Sequence, residues 1–166
     1  MKKDYDIIVY GATGFVGKLI CEYISSHSDT NNIRWAISGR DKNKLDDISN
    51  KLSVNSIVAD SFNQESLDKM ITKTKLLITT VGPYMLYGEN VVRSCIKNKT
   101  HYLDLTGEPN FVKYIYKKYH LSVLDSEIIL MHCCGFESIP ADVGSYEIVK
   151  LMDSEEKHLT YYLRTK

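Results

Sequence analysis

The sequence of 166 residues has no excess of either charge, since 21 lysines and arginines balance 21 aspartates and glutamates. A general binder of nucleic acids or membrane surfaces carries a basic excess, so neither partner is expected. Long apolar runs are also missing: runs such as 7–10 and 128–131 hold only a few residues, whereas a transmembrane helix needs about 18. No apolar stretch of signal-peptide type follows the N-terminal lysines. We therefore expect no nucleic-acid partner, no transmembrane segment and a cytoplasmic location.

Cysteine is sparse, with four residues and no C-x-x-C pair. This usage predicts unpaired thiols in a reducing compartment. The run His132-Cys133-Cys134 suggests a ligand cluster, but adjacent residues of a strand point to opposite faces, which is a poor start for a shared metal. We predict small apolar residues buried on a strand here, and no metal site.

Short apolar runs alternate with segments of helical periodicity along the chain. Strands are predicted at 7–10, 33–38, 55–59, 76–81, 101–105 and 128–133, with a further extended stretch at 159–164. Helices are predicted from Phe15, at 42–52, 64–73 and 88–98, from Pro109, and at 140–152; a polar break covers 28–32. This order predicts an α/β fold with a doubly wound parallel sheet in a three-layer α/β/α arrangement.

A glycine-rich turn carries the strongest local signal, because it follows the first predicted strand and opens the first predicted helix. Gly11 permits a tight turn, Gly14 lets the backbone approach a pyrophosphate, and Gly17 lets the helix pack closely on the strand. The helix N-terminus then offers free N–H groups to the phosphates. An ordinary strand-to-helix turn is the alternative. The predicted cofactor-binding residues of this turn are Gly11, Thr13, Gly14, Phe15, Val16 and Gly17.

The end of the second strand, Ser38-Gly39-Arg40, bears on the choice of cofactor. NAD-binding proteins usually place an acid there for the ribose 2′-hydroxyl, whereas a guanidinium suits a 2′-phosphate. Lys44 would add charge one turn into the next helix, and Asp41 leaves the inverse assignment open. A solvated loop charge is the alternative for Arg40. We predict that NADP(H) is preferred over NAD(H).

The ends of the third and fourth strands would also line a ligand crevice, since such sheets bind ligands at the carboxyl ends of their strands. Asp60 either approaches the adenine or caps the next helix. The fourth strand leads into Thr80, Val81, Gly82, Pro83 and Tyr84, which we predict near the ribose and nicotinamide, with a plain Gly-Pro turn as the alternative.

Tyr84 and Tyr87 are candidates to donate a proton or to close over the nicotinamide, and aromatic packing is the alternative for both. Glu89 and Glu108 lie near predicted helix starts, where an acid usually complements the helix dipole. The sequence does not assign a catalytic residue.

Several blocks of the sequence resemble the saccharopine dehydrogenase-like oxidoreductases, including their trans-acting enoyl reductase branch. The blocks are residues 6–17, 35–40, 79–84 with 87–89, 102–108 and 132–144. The resemblance runs along nearly the whole chain, with Glu137 standing where the family more often has Asp. It implies a Rossmann domain that binds a nicotinamide dinucleotide.

Members of this family continue into a second α+β domain that helps to form the substrate site and often mediates dimerisation. The resemblance therefore implies a dinucleotide-binding domain at 1–152, and a linker and the start of a truncated second domain at 153–166. It also implies hydride transfer to or from a small-molecule or lipid-like substrate, and leaves a homodimer open.

Two other functions stay open at this point. A short-chain dehydrogenase needs a Tyr-x-x-x-Lys pair, and Tyr114 with Lys118 and Tyr146 with Lys150 provide the spacing, although about one such pair is expected by chance. A non-catalytic protein that senses NADP(H) or serves as a scaffold would keep the same fold, because fold does not determine function.

Overall fold

The computed structural model describes residues 3–27, 32–153 and 155–162, which form six strands and six helices in strict alternation. The strands are β1 (Tyr5–Tyr10), β2 (Trp35–Gly39), β3 (Asn55–Val58), β4 (Thr74–Thr79), β5 (His101–Asp104) and β6 (Leu130–Met131). The helices are α1 (Phe15–Ser26), α2 (Lys42–Leu52), α3 (Gln64–Ile71), α4 (Tyr84–Lys97), α5 (Pro109–Ser126) and α6 (Ile139–Lys150).

The six strands form one sheet in the order β3-β2-β1-β4-β5-β6, and all neighbours are parallel. The chain begins in the middle of the sheet, builds outward to β3, and returns through α3 to β4 on the other side of β1. The order of strands reverses between β1 and β4, and this reversal opens a crevice at their carboxyl ends. The doubly wound parallel sheet predicted from the sequence is confirmed.

Two hydrophobic cores cover the opposite faces of the sheet, because successive strand residues point to opposite sides. Val9 and Ile37 pack against α1 and α2, whose buried residues include Cys21 and Leu45. Ile8 and its neighbours pack against α3, α4 and α5 in the second core, which includes Leu77, Met70, Val91, Tyr102 and Phe111. Helix α6 buries none of its residues.

Some predicted boundaries differ from those of the structure. Helix α4 begins at Tyr84 rather than 88, because the Glu108 carboxylate accepts hydrogen bonds from the N–H groups of Tyr84 and Met85 at 2.6 and 3.0 Å. This carboxylate therefore complements the dipole of α4, whereas the sequence suggested α5. No strand occurs within 159–162. Residues 163–164 of the predicted stretch, and 28–31 of the predicted break, lie outside the described residues.

The prediction for the two adjacent cysteines was wrong. Strand β6 ends at Met131, so Cys133 and Cys134 lie in the following loop, where both are half-buried. Cys133 has a φ of 60°, which a strand residue does not adopt. The loop is held instead by Asp104, whose carboxylate accepts a hydrogen bond from the Cys133 N–H at 3.1 Å.

Candidate functional site

A cleft lies at the carboxyl end of the sheet, where the order of strands reverses. Many predicted site residues line it: Gly11, Thr13, Gly14, Gly39, Arg40, Asp60, Thr80, Val81 and Gly82. Tyr10, Ser61 and Tyr87 complete the lining. Residues from the ends of β1, β2, β3 and β4 thus meet around one crevice.

The glycine turn is packed so closely that side chains would not fit at two of its positions. Gly11 has a φ of +93°, and a Cβ there would lie 2.5 Å from the Thr80 hydroxyl oxygen. A Cβ on Gly17 would overlap the carbonyl oxygen of Gly11, so α1 approaches the end of β1 as the sequence motif requires. The Ser38 carbonyl fixes the turn by accepting hydrogen bonds from the Gly11 and Ala12 N–H groups at 2.9 and 3.1 Å.

The N-terminus of α1 suits an anionic ligand. Gly14 is the N-cap residue, and no side chain of the described residues caps the helix there. The first turn contains no acidic residue that would repel a phosphate. The first N–H groups of a helix have no partner within the helix, and here they lie beside the lining residues Thr13 and Gly14.

Arg40 and Asp41 follow β2 but have different surroundings. Asp41 is the N-cap of α2, where its carboxylate accepts a hydrogen bond from the Lys44 N–H at 3.2 Å. The Lys44 ammonium lies 3.7 Å from the same carboxylate. The guanidinium of Arg40 lines the cleft, and within the described residues it forms no hydrogen bond or ion pair. Of the two charged residues that follow β2, Arg40 is therefore the one without a charged partner.

Hydrogen bonds of Ser61 hold the loop after β3 in place. The hydroxyls of Tyr10 and Ser61 share a hydrogen bond of 2.8 Å, and the Asn90 amide donates to the Ser61 carbonyl at 2.9 Å. Burial raises the pKa of Tyr10, so this phenol stays neutral. Asp60 accepts a hydrogen bond from the Phe62 N–H at 2.8 Å, whereas the N-cap of α3 is Asn63. The capping role considered for Asp60 is therefore wrong.

Tyr84 was predicted in the cleft, but the structure buries its side chain behind the end of β4. Its hydroxyl donates to the Thr79 carbonyl at 3.0 Å and accepts from the Leu105 N–H at 3.2 Å. Burial raises the pKa of Tyr84 to about 12, and the residue is buried and does not line the cleft. Tyr84 therefore joins the ends of β4 and β5. Tyr87 lines the cleft, with its ring centre 5.2 Å from that of Phe62.

The other predicted residues that do not line the cleft have structural surroundings of their own. Ser38 is buried, and its hydroxyl donates to the Ile57 carbonyl at 2.7 Å across the sheet. Phe15 and Val16 expose their side chains on α1 and do not line the cleft. The remaining three are Gly17, which packs on the turn, Lys44, which pairs with Asp41, and Pro83, which precedes α4.

Tyr10 and Ser61 line the cleft although the sequence analysis did not select them. Tyr10 ends β1 directly before the glycine turn, and Ser61 follows Asp60. The sequence signal that could have found them is that each is adjacent to a residue predicted in the site. Local patterns could not predict the hydrogen bond between their hydroxyls, because the two residues are 51 positions apart in the sequence.

A second polar centre lies at the ends of β5 and β6. The fully buried Asp104 carboxylate accepts hydrogen bonds from the Tyr102 hydroxyl at 2.8 Å and the Thr106 N–H at 3.0 Å. The Nδ1 atom of His132 lies 2.6 Å from Asp104 Oδ2, an arrangement that places the ring proton on Nδ1. The Nε2 atom of His132 is buried without a hydrogen-bond partner among the described residues. This centre ties the loops after β5 and β6 together.

The two Tyr-x-x-x-Lys pairs lie away from the cleft. The Tyr114 hydroxyl and the Lys118 ammonium both donate to Glu89, at 2.8 and 2.6 Å, in a cluster that joins α4 and α5. Lys150 lies over the Tyr146 ring on the exposed helix α6. Neither pair lines the cleft, so the structure gives the short-chain dehydrogenase alternative no support.

Comparison with known proteins identifies the family. The family model described as the saccharopine dehydrogenase NADP binding domain matches residues 7–132. The chain belongs to this family. The resemblance seen in the sequence blocks is thereby confirmed, and so is the Rossmann fold. As a member of this family, the chain is an NADP-binding domain.

Named relatives extend well beyond the matched part. A saccharopine dehydrogenase-like oxidoreductase of Mus musculus is 34% identical over 158 residues, covering 86% of this chain and 37% of the relative. A trans-acting enoyl reductase of Mycobacterium bovis is 36% identical over 154 residues, covering 90% and 36%. The solved saccharopine dehydrogenase of Saccharomyces cerevisiae is 16% identical, with a TM-score of 0.74 over 89% of this chain and 31% of that protein, which shows the shared fold. The chain thus spans less than two fifths of these proteins.

Within the part of the chain that the structure describes, no helix is long and apolar enough to cross a membrane. The same residues contain no group of three or more His, Cys, Asp or Glu side chains arranged to hold a metal ion.

Proposed function

We propose that the cleft binds NADP(H) in preference to NAD(H), with Arg40 as the residue that selects the 2′-phosphate. The observation that carries this proposal is the free guanidinium at the end of β2, beside a neighbouring acid that is occupied as the cap of α2. A guanidinium gains two charge-assisted hydrogen bonds from a phosphate and little from a hydroxyl.

The residues of the cleft fit a dinucleotide from one end to the other. The glycine turn and the N-terminus of α1 would hold the pyrophosphate, because the N-cap residue Gly14 lines the cleft and, within the described residues, no side chain caps the helix. Arg40, Asp60 and Ser61 would border the adenosine, and Thr80 to Gly82 would border the nicotinamide riboside. The bound cofactor would supply hydride transfer, and these residues would orient it.

We further propose that the chain serves as the cofactor domain of an oxidoreductase that acts on a small-molecule or lipid-like substrate. The names of its relatives support this role. In this proposal residues 1–152 form the dinucleotide-binding domain, and 153–166 lead into a second domain that completes the substrate site. The four free cysteines suit a reducing compartment such as the cytoplasm. A homodimer is also proposed, formed through the second domain.

Calorimetric titration of NADPH and NADH into the wild type and two arginine variants tests the cofactor proposal. Arg40→Ala should weaken NADPH binding by about one to two decades, since a charged hydrogen bond contributes roughly 1.5–3 kcal/mol. NADH binding should hardly change. Arg34→Ala is the matched control, because Arg34 precedes the same strand at the opposite end of the sheet and pairs with Asp6. The proposal fails if both variants lose affinity equally, or if NADPH and NADH bind the wild type alike.

A further inference from the structure

One face of the second half of the sheet is left uncovered. Parallel sheets are buried on both faces in folds of this class. Helices α1 and α2 cover β1, β2 and β3 on the Val9 side, and α3, α4 and α5 cover the opposite side. Within the described residues, no helix covers β4, β5 and β6 on the Val9 side, since α6 buries none of its residues.

A row of apolar side chains crosses this uncovered half in register. Val9 pairs with Ile78, Ile78 with Leu103, and Leu103 with Met131, so all four side chains point to the same face. Val9 is fully buried beneath α1, Ile78 and Leu103 are half-buried, and Met131 is 47% exposed. Exposure therefore increases along the row as the cover of α1 runs out.

The flank of α1 beside this row is apolar as well. At about 100° per residue, Val16 and Tyr23 lie on one side of the buried stripe formed by Gly17, Cys21 and Ile24. They are 42% and 57% exposed. The opposite flank carries Lys18 and Glu22 and faces α2, where Glu22 pairs with Lys51 at 3.3 Å. The apolar flank is therefore the one that adjoins β4.

We propose that the flank of α1 and the Ile78–Leu103–Met131 row form a docking groove for an amphipathic helix of the same polypeptide, supplied by the part that relatives possess beyond the matched region. This proposal rests on the proposed function as a cofactor domain within a longer protein. The mouse and mycobacterial relatives have more than three fifths of their length outside the match, which is ample chain to supply such a helix.

The dimensions and chemistry of the groove fit a helix. Strands β4 to β6 span two strand spacings, about 10 Å, which is about the diameter of one helix. The occupant would need apolar residues at positions i, i+3, i+4 and i+7 against the row, and polar residues on its outer side. It would thereby complete the layer that contains α1 and α2.

Photo-crosslinking in the full natural gene product tests this groove. A benzophenone amino acid is placed at Tyr23 or Met131, and at Leu121 as the control, because Leu121 is an exposed leucine on α5 at the other face. We expect both groove positions to crosslink, within one chain, to the same segment beyond residue 166, and the control to give no such product.

Three results would overturn the proposal: crosslinks between two copies of the chain, crosslinks from the groove positions to lipid only or to nothing, or a gene product that ends near Lys166. NADPH titration of the same samples distinguishes failure of the groove proposal from failure of the proposed cofactor role. Retained binding without the intrachain crosslink would refute the groove alone, whereas lost binding in the unmodified protein would refute the cofactor role.

Discussion

Strands β1 to β3 are covered by α1 and α2 and end in the glycine turn, Arg40 and Asp60, whereas β4 to β6 present half-exposed apolar side chains on the same face of the sheet. The first half holds most of the groups that would bind a cofactor. The second half is organised around the buried Asp104, which ties strand ends together outside the cleft. In our proposals, cofactor binding depends on local packing in the first half, whereas the second half is covered by a further helix.

The largest effect is expected at Gly17 in the first half. A Cβ there would overlap the Gly11 carbonyl oxygen, which is backbone and has little room to move. Gly17→Ala should destabilise the fold by about 3 kcal/mol, the upper range for overpacking, and should abolish NADPH binding. Urea unfolding and NADPH titration measure the two effects.

Gly144→Ala is the control for this substitution, because Gly144 is also helical and, apart from its own stretch of helix, no atom of the described residues lies within 4 Å of its ideal Cβ. It should leave stability unchanged or raise it by up to about 1 kcal/mol, the helix preference for alanine. Equal effects of the two substitutions would show that the glycine turn is not closely packed.

The next largest effect is expected at Asp104 in the second half. Asp104→Asn removes the charge that accepts hydrogen bonds from Tyr102, Thr106 and Cys133. Stability should fall by about 2 kcal/mol, because hydrogen bonds to a charged group contribute roughly 1.5–3 kcal/mol. NADPH affinity should change little, since Asp104 does not line the cleft. Asp142→Asn, on the exposed helix α6, is the control for urea unfolding. A large loss of NADPH affinity in the folded variant would show that cofactor binding also depends on the second half of the sheet, against our expectation.

The smallest effect is expected in the cluster that joins α4 and α5. Hydrogen bonds from Lys118, Tyr119 and Tyr114 lower the pKa of Glu89 to about 2, against about 4.3 in an unfolded chain. Because the folded pKa is depressed, the stabilisation is present above about pH 4.3 and is lost as the pH falls towards 2. Its size should be about 1 kcal/mol, since the cluster is partly solvated.

The difference in unfolding free energy between wild type and Glu89→Gln should therefore be present at neutral pH and vanish in acid. Glu65→Gln is the control, because Glu65 pairs with Lys69 on the exposed side of one helix, α3, and, among the described residues, joins no second element. A difference that persists unchanged at low pH would contradict the electrostatic origin of the contribution.

Local patterns were sufficient to predict the glycine turn, the order of the elements and the full extent of α2, whose bounds are those expected from the sequence. The strand ends met at one cleft because a parallel sheet places its carboxyl ends together. The capping role of Asp41 could not be separated from cofactor binding by sequence alone, since both interpretations require an acid at the same position.

Long-range contacts account for the predictions that failed. Tyr84 was expected in the cleft, but its partners Leu105 and Glu108 lie more than twenty positions away and draw it beneath the strand ends. Glu108 precedes Pro109, so the local pattern assigned it to α5, whereas it caps α4. The short β6 likewise reflects the hydrogen bond of Cys133 to Asp104, which redirects the backbone.

Hydrogen exchange with and without NADPH tests most directly whether the first half of the sheet holds the cofactor. If the first half holds the cofactor, NADPH should increase protection of the backbone amides at residues 11–17, 39–41 and 60–61, with little change along α5 and α6. Protection confined to the loops after β5 and β6, or no protection at the glycine turn under saturating NADPH, would contradict it.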